Sequence, residues 1–475
     1  MVFSSIVFLC AFLPVTLVLY WLLPGIAAKN ALLIVASLVF YAYGEPLLVL
    51  LLIASTLANW LFGLLVDLAK RAPEQRVSGR GSRLWLTIAI IVNLAFLGVF
   101  KYASMVVTTF NSVSGLSLYD PHLPLPLGIS FYTFQALSYV IDVYRAEAEV
   151  QCSYPRVLLY ISLFPQLVAG PIVKYREIDQ QLGERTLSLS QSARGMRRFV
   201  CGLAKKVLIA NVMASTVDML WGLGPSALDA RGAWLAAFAY LLQIYFDFSG
   251  YSDMAIGLGA LFGFEFEENF DHPYTSTSIK EFWRRWHISL STWFRDYLYI
   301  PLGGNQSSAL RTGVNKAIVF FLCGLWHGAS WNFAIWGLIH GAFSLIEEVL
   351  PVKRLPKAIG WLYTIVVVLL AFVVFRADNL RDALLMWKSM FGFGSWSASA
   401  GMYVINQLTP LFVATLLAGI VGSGPWFTNA LKRLESTSAS GVVQTLSLAA
   451  SFIVLVVCVA ALASGGYNPF IYFRF

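Results

Sequence analysis

The chain is 475 residues long, 58% apolar and 15% aromatic, with only 12% of its residues charged and a mean hydropathy of +0.70. That mix lies far outside the range of soluble globular domains and indicates a polytopic membrane protein. The formal net charge of +8 gathers in a few loops, so it reports membrane topology rather than a nucleic-acid partner.

Spanning about 30 Å of hydrocarbon takes roughly twenty apolar residues in a helix. Residues 5–23, 47–68, 84–106, 234–256, 361–375 and 446–462 meet or approach that length. Shorter or polar-interrupted candidates follow at 31–42, 128–144, 157–173, 199–220, 317–350 and 408–421. An all-α protein with roughly 10–13 membrane segments is expected. The first segment has neither a basic flank nor a small-residue cleavage site, so it is expected to stay as a membrane helix. Lys70, Arg71, Arg76, Arg80 and Arg83 mark one cytoplasmic loop, the eight Lys and Arg residues between Lys174 and Lys206 mark another, and Lys353, Arg354 and Lys357 mark a third. Three segments precede the first of these loops, which puts the N-terminus outside.

Residues 157–173 carry basic flanks at both ends, Arg145 and Arg156 before, Lys174 and Arg176 after, so this segment returns without crossing. Its interior, Phe164-Pro-Gln-Leu-Val-Ala-Gly-Pro171, is broken by two prolines and a glycine. Such backbone survives at membrane depth only when buried in protein or lining a wet cavity, which predicts a re-entrant element. Residues 317–350 behave alike. From Lys316 to His327 is about 16 Å of helix, and Lys353 returns the chain to the same side, so His327 is expected near mid-membrane at the turn of a hairpin.

Between these blocks, residues 277–304 are too charged to span. Ser278 followed by Glu281 is a capping-box start, and Pro301 with Gly303 and Gly304 is a stop. On one continuous helix Trp283, Trp286, His287, Leu290, Trp293, Phe294 and Tyr297 share a face, while Arg284, Arg285, Ser291, Thr292, Arg295 and Asp296 share the other. The segment is therefore expected to lie along the interface or in a protein groove. An interfacial anchor would carry Leu or Phe where His287 stands, so His287 calls for a buried partner or a substrate.

His327 lies in Gly324-Leu-Trp-His-Gly-Ala-Ser-Trp-Asn332. An ionisable group at that depth is either paired between helices or functional, and imidazole suits proton transfer near neutral pH. Cys323, four residues earlier, could form a nucleophile–base pair with His327 or simply pack. Tyr245-Phe-Asp-Phe-Ser-Gly-Tyr-Ser-Asp253 sets Asp247 and Asp253 in apolar surroundings, either paired with the arginine-rich segment or at a substrate site. Gly257 to Gly263 reads as close helix packing, since no strand precedes it. His340 reads as structural, His272 as a loop residue, and the five histidines show no metal-ligand spacing. The five cysteines, Cys10, Cys152, Cys201, Cys323 and Cys458, are scattered and read as packing residues rather than a disulfide framework.

Taken together, Pro126-Leu-Gly-Ile-Ser-Phe-Tyr-Thr-Phe134, Ala169-Gly-Pro171, Tyr245 through Gly257, Glu281-Phe-Trp-Arg-Arg-Trp-His-Ile-Ser-Leu-Ser-Thr-Trp293, Arg295 through Gly304, Leu325-Trp-His-Gly328 and the closing Phe470-Ile-Tyr-Phe-Arg-Phe475 resemble the membrane-bound O-acyltransferases. Within that family they are most similar to the bacterial branch holding the alginate O-acetylation subunit, and more distantly to the teichoic acid D-alanyl transfer proteins. The resemblance runs through most of the chain. It implies one integral membrane domain over residues 1–475 with a catalytic core at about 126–350, folded as a ring of tilted helices around a central tunnel. His327 falls at the family's catalytic histidine, and His287 at a second polar position some tens of residues upstream.

The resemblance further implies transfer of an acetyl or other small acyl group from a cytoplasmic thioester such as acetyl-CoA, with no permanently bound cofactor and no metal. The acceptor would be an exported polysaccharide such as alginate, reached through a periplasmic SGNH-type transferase, because the chain itself has no Gly-Asp-Ser motif. A multi-pass protein of the bacterial inner membrane, in contact with lipid, follows. Arg284, Arg285 and Arg295 would meet either donor phosphates or lipid headgroups, and Trp326 and Asn332 flank the histidine as candidate substrate contacts. A transporter or channel also places broken helices at the midplane, but no internal repeat is evident. A non-catalytic scaffold for a periplasmic transferase is the other alternative.

Overall fold

The computed structural model describes residues 1–71, 79–306, 308–350, 352–394, 396, 398–435 and 440–471. Arg76 of the first basic loop and the closing Tyr472–Phe475 lie outside the described residues. Helices make up the regular structure, with no strand among the described residues. Among the described residues, seven helices, including Gly25–Ala42, Leu48–Arg71, Ala309–His327, Lys357–Arg376 and Gly441–Ala463, are long and apolar enough to cross a membrane alone. An eighth span results if Ala400–Gln407 and Pro410–Gly422, bent by 73°, count as one. The other expected segments are shorter or more polar helices, except 157–173, which is broken. The chain is thus an all-α, multi-pass membrane protein.

Two compact units divide the chain, one of Met1–Met196 with Ala255–Glu267, the other of Arg197–Met254 with Glu268–Phe475. In the first, Phe3, Phe8, Phe40 and Phe164 are buried and pack ring against ring. Asn59 and Asn93 exchange amide hydrogen bonds of 3.0 and 2.8 Å between Leu48–Arg71 and Arg80–Leu97, satisfying polar groups that lipid could not. The doubly flanked segment is broken where the prolines and glycine foretold. Helix Tyr154–Ser162 stops at Leu163, a single turn Phe164–Leu167 follows, and the chain then runs irregularly to Lys174. This backbone is buried throughout, and the Tyr160 hydroxyl donates to the Val173 carbonyl at 2.9 Å. The glycine run behaves as packing, with Gly259 against the Phe266 ring and Gly195 against the Gly257 carbonyl.

In the second unit, Ala309–His327 and Trp331–Val349 form a tight helical hairpin, with the extended Gly328 starting the turn. The helices cross so closely that a Cβ on Gly324 would run into the Phe333 carbonyl oxygen, and one on Gly337 into that of Phe320. Small residues permit this approach. Gly337→Ala should therefore lower the melting temperature in detergent, at about 1–3 kcal/mol for overpacking. Gly313→Ala, whose Cβ would meet only Leu345 Cδ2 at 3.9 Å, should stay within about 0.5 kcal/mol of the parent. Equal melting of the two variants would contradict this close crossing.

Residues 277–304 depart from the single helix their periodicity predicts. Ser278 caps Ile279–Arg285 by accepting from the Glu281 amide at 3.1 Å, and the Glu281 carboxylate accepts from the Thr277 amide and hydroxyl, each at 2.9 Å. The helix then stops. Trp286 is extended, His287 is left-handed with φ of 46°, and a second helix, Ile288–Phe294, resumes before a π-helical turn at Arg295–Tyr299. The expected apolar face is buried in full despite the break: Trp283, Trp286, His287, Leu290, Trp293, Phe294 and Tyr297 are all inside. Asp296, expected on the polar face, is buried too.

Candidate functional site

The break at His287 is imposed from another segment, which is why periodicity misses it. Residues 269–271 run beside it, the Asp271 amide donating to the Arg285 carbonyl at 2.9 Å and the Ile288 amide to the Asn269 carbonyl at 3.0 Å. These bonds pair one carbonyl and one amide that the break frees from helical bonding. Asn269, fully buried, also places its side-chain Oδ1 within 3.2 Å of His287 Nδ1, 3.2 Å of the Ser289 amide and 2.9 Å of the Ser289 hydroxyl. A left-handed residue other than glycine is strained. With this backbone the His287 ring lies fully buried.

His327 is the last residue of Ala309–His327 and is 5% exposed, while His287 is wholly buried. Their ring centroids lie 6.0 Å apart. Trp326 touches both, at 5.7 Å from His287 and 5.0 Å from His327. Trp336 and Phe375 meet His327 edge to face at 5.1 and 5.4 Å, and Phe248 meets His287 at 4.6 Å. Aromatic and imidazole edges pack at these distances without lost contact. A narrow, largely apolar cavity opens on His327, walled by Ile244, Phe248, Trp336, Phe372 and Phe375 from helices, by Trp286 at the break and by Ile471. His287 packs beside His327, fully buried and outside that wall.

The sequence-predicted residues therefore separate. His327, His287 and Trp326 come together. Asn332, in the first turn after the hairpin bend, is buried and donates to the Ala377 carbonyl at 2.7 Å, holding two helices together. Asp253 accepts from Arg198 at 2.9 Å and Lys205 at 2.6 Å, forming an ion cluster with Glu268. Asp247 pairs with Lys206 at 2.7 Å and accepts the Ile471 amide at 2.8 Å. Neither aspartate pairs with the arginine-rich segment. Of its arginines, Arg285 bonds Glu281 and Asp271, and Arg295 bonds its neighbour Asp296. Arg284 is exposed and makes no ion pair among the described residues. Cys323 is buried on the hairpin helix but does not line the cavity. His340 is enclosed by Phe282, Trp283 and Trp336 at 6.0, 5.2 and 5.0 Å, a packed position consistent with its structural reading.

Sequence reasoning missed Asn269 and Ile471. Asn269 follows Glu267 and Glu268, so its polarity alone is no signal for the first. The second lies in the closing stretch that carries the family resemblance, but its place at the cavity depends on a tertiary anchor on Asp247.

A profile of the membrane-bound O-acyltransferase family matches residues 86–375, a range that contains both histidines. The chain is 41% identical to the probable alginate O-acetylase of Azotobacter vinelandii, over the whole of both chains. It is 44% identical to the probable alginate O-acetylase of Pseudomonas aeruginosa, covering 88% of this chain and 79% of that protein. It is 38% identical to the peptidoglycan O-acetyltransferase of Helicobacter pylori, covering 84% of this chain and 81% of the relative.

Proposed function

The chain belongs to the membrane-bound O-acyltransferase family, and from that premise we propose that it transfers acetyl from cytoplasmic acetyl-CoA to an exported polysaccharide such as alginate. The observation that carries the reading is His327 at the mouth of a narrow aromatic cavity, with a second imidazole 6.0 Å from it. A narrow apolar wall suits a two-carbon acyl group better than a long chain. His327 acts as general base: it takes the proton of an attacking hydroxyl, the oxygen bonds to the thioester carbonyl carbon, the C–S bond breaks, and the imidazolium returns the proton to the thiolate. Trp326 packs against both rings and fixes their angle. His287 assists by holding the acyl carbonyl or the acceptor. Of the three arginines, Arg284 alone is left by its neighbours to meet donor phosphates, as a bare guanidinium can.

The acceptor side lies outside the cytoplasmic membrane, with the N-terminus on that face and a periplasmic SGNH-type transferase carrying the acyl group to the polymer. The basic flanks support this orientation. Inverted vesicles containing the protein, given radiolabelled acetyl-CoA outside, with deacetylated alginate oligosaccharide and soluble periplasmic proteins enclosed, should accumulate label on the enclosed sugar. Label confined to products on the donor's own side would overturn the cross-membrane route.

A further inference from the structure

His287 was left with two roles, donating to an acyl carbonyl or accepting from a hydroxyl, and its surroundings decide between them. The Asn269 side chain could in principle be turned either way, because oxygen and nitrogen look alike in shape. Here a backbone group settles it. The Ser289 amide is an obligatory donor and lies 3.2 Å from one end of the Asn269 side chain, so that end is the acceptor oxygen. The Ser289 hydroxyl adds a second donor at 2.9 Å. An amide oxygen cannot donate, so His287 Nδ1, at 3.2 Å from the same atom, must carry the proton.

A neutral imidazole protonated on Nδ1 has a lone pair on Nε2 and nothing to donate from it. That Nε2 is buried and has no hydrogen-bond partner among the described residues. Histidine is also strained at φ 46° in this position, and the bonds from residues 269–271 are what hold it there, so the ring is held in place as well as in tautomer. We infer that Asn269 is a positioning residue that fixes His287 as a hydrogen-bond acceptor through Nε2, so that a hydroxyl reaching the histidine pair is what His287 can orient, and an acyl carbonyl is not. The inference rests on the acyl-transfer reading for the purpose of that hydroxyl, but the tautomer stands or falls independently of it.

The test is nitrogen NMR of the full-length protein in lipid nanodiscs, with 15N in the histidine rings and His287→Gln used to assign the signals. The parent should show His287 with a protonated Nδ1 and an unprotonated Nε2. Asn269→Asp keeps an acceptor at the same place and should keep that tautomer, with acyl transfer within a few-fold of the parent. Asn269→Leu removes it, should give a mixed or inverted tautomer, and should lower acyl transfer by roughly tenfold to a hundredfold, as losing the partner that orients a functional histidine does. A proton on Nε2 in the parent, or an unchanged tautomer in Asn269→Leu, overturns the inference. Should the Leu variant fail to fold, the parent and Asp spectra still decide it. Should His287→Gln retain full acyl transfer, the functional reading of His287 fails while the tautomer result remains as measured.

Discussion

His327→Ala is expected to reduce acyl transfer by about 10²–10⁴-fold, the usual contribution of a positioned proton-transfer group, with protein still inserted in the membrane. The ring lines a cavity that already exists, so its neighbours need not collapse around a new void in a filled core. Some packing is nonetheless lost against Trp326, Trp336 and Phe375. His327→Gln controls for this by keeping most of the volume and a polar end while removing the base. Both variants should elute from size exclusion as the parent does, and both should leave the polymer without acetyl ester. Near-parent acetylation by either one would remove His327 from the chemistry. Loss with Ala but not Gln would assign the ring a packing role.

That prediction could be framed from sequence because the Trp-His-Gly stretch carries its own context: an ionisable residue inside an apolar run is costly wherever the run folds. The hairpin was legible for the same reason, since Lys316, His327 and Lys353 constrain a chain of fixed rise per residue. The broken segment after Tyr154 was legible because proline and glycine act locally. What escaped is tertiary. Periodicity alone continues one helix through Trp286 and His287, whereas the fold pairs the Arg285 carbonyl and the Ile288 amide with residues 269–271. The apolar stripe survived the error because the second helix resumes with the same face inward. Asp247 and Asp253 look alike in sequence, two carboxylates six positions apart on one helix, yet one closes an ion cluster and the other anchors a distant stretch of chain. Only the partners distinguish them, and Lys205 and Lys206 are adjacent in sequence.

The Asp247 anchor supplies the second large effect. Lys206 and Asp247 are 3% and 2% exposed and 2.7 Å apart, so each is the other's main compensation for leaving water. Lys206→Met should strand the carboxylate and cost about 3–5 kcal/mol, the usual penalty for removing one partner of a buried pair. Lys206 also donates to the Pro469 carbonyl, so that contact is lost as well. Converting both residues, Lys206→Met with Asp247→Leu, should recover most of the melting temperature, because replacing a whole buried pair with apolar groups is often neutral. Activity should not follow. Asp247 Oδ2 accepts the Ile471 amide, and Ile471 is a wall of the cavity on His327, so the double variant regains stability while that wall loses its tether. Thermal melts in detergent read the first effect and acetyl ester on the polymer the second. Stability and acetylation recovering together would mean that Ile471 is held without Asp247; neither recovering would mean that the pair contributes specific bonds that apolar packing cannot replace.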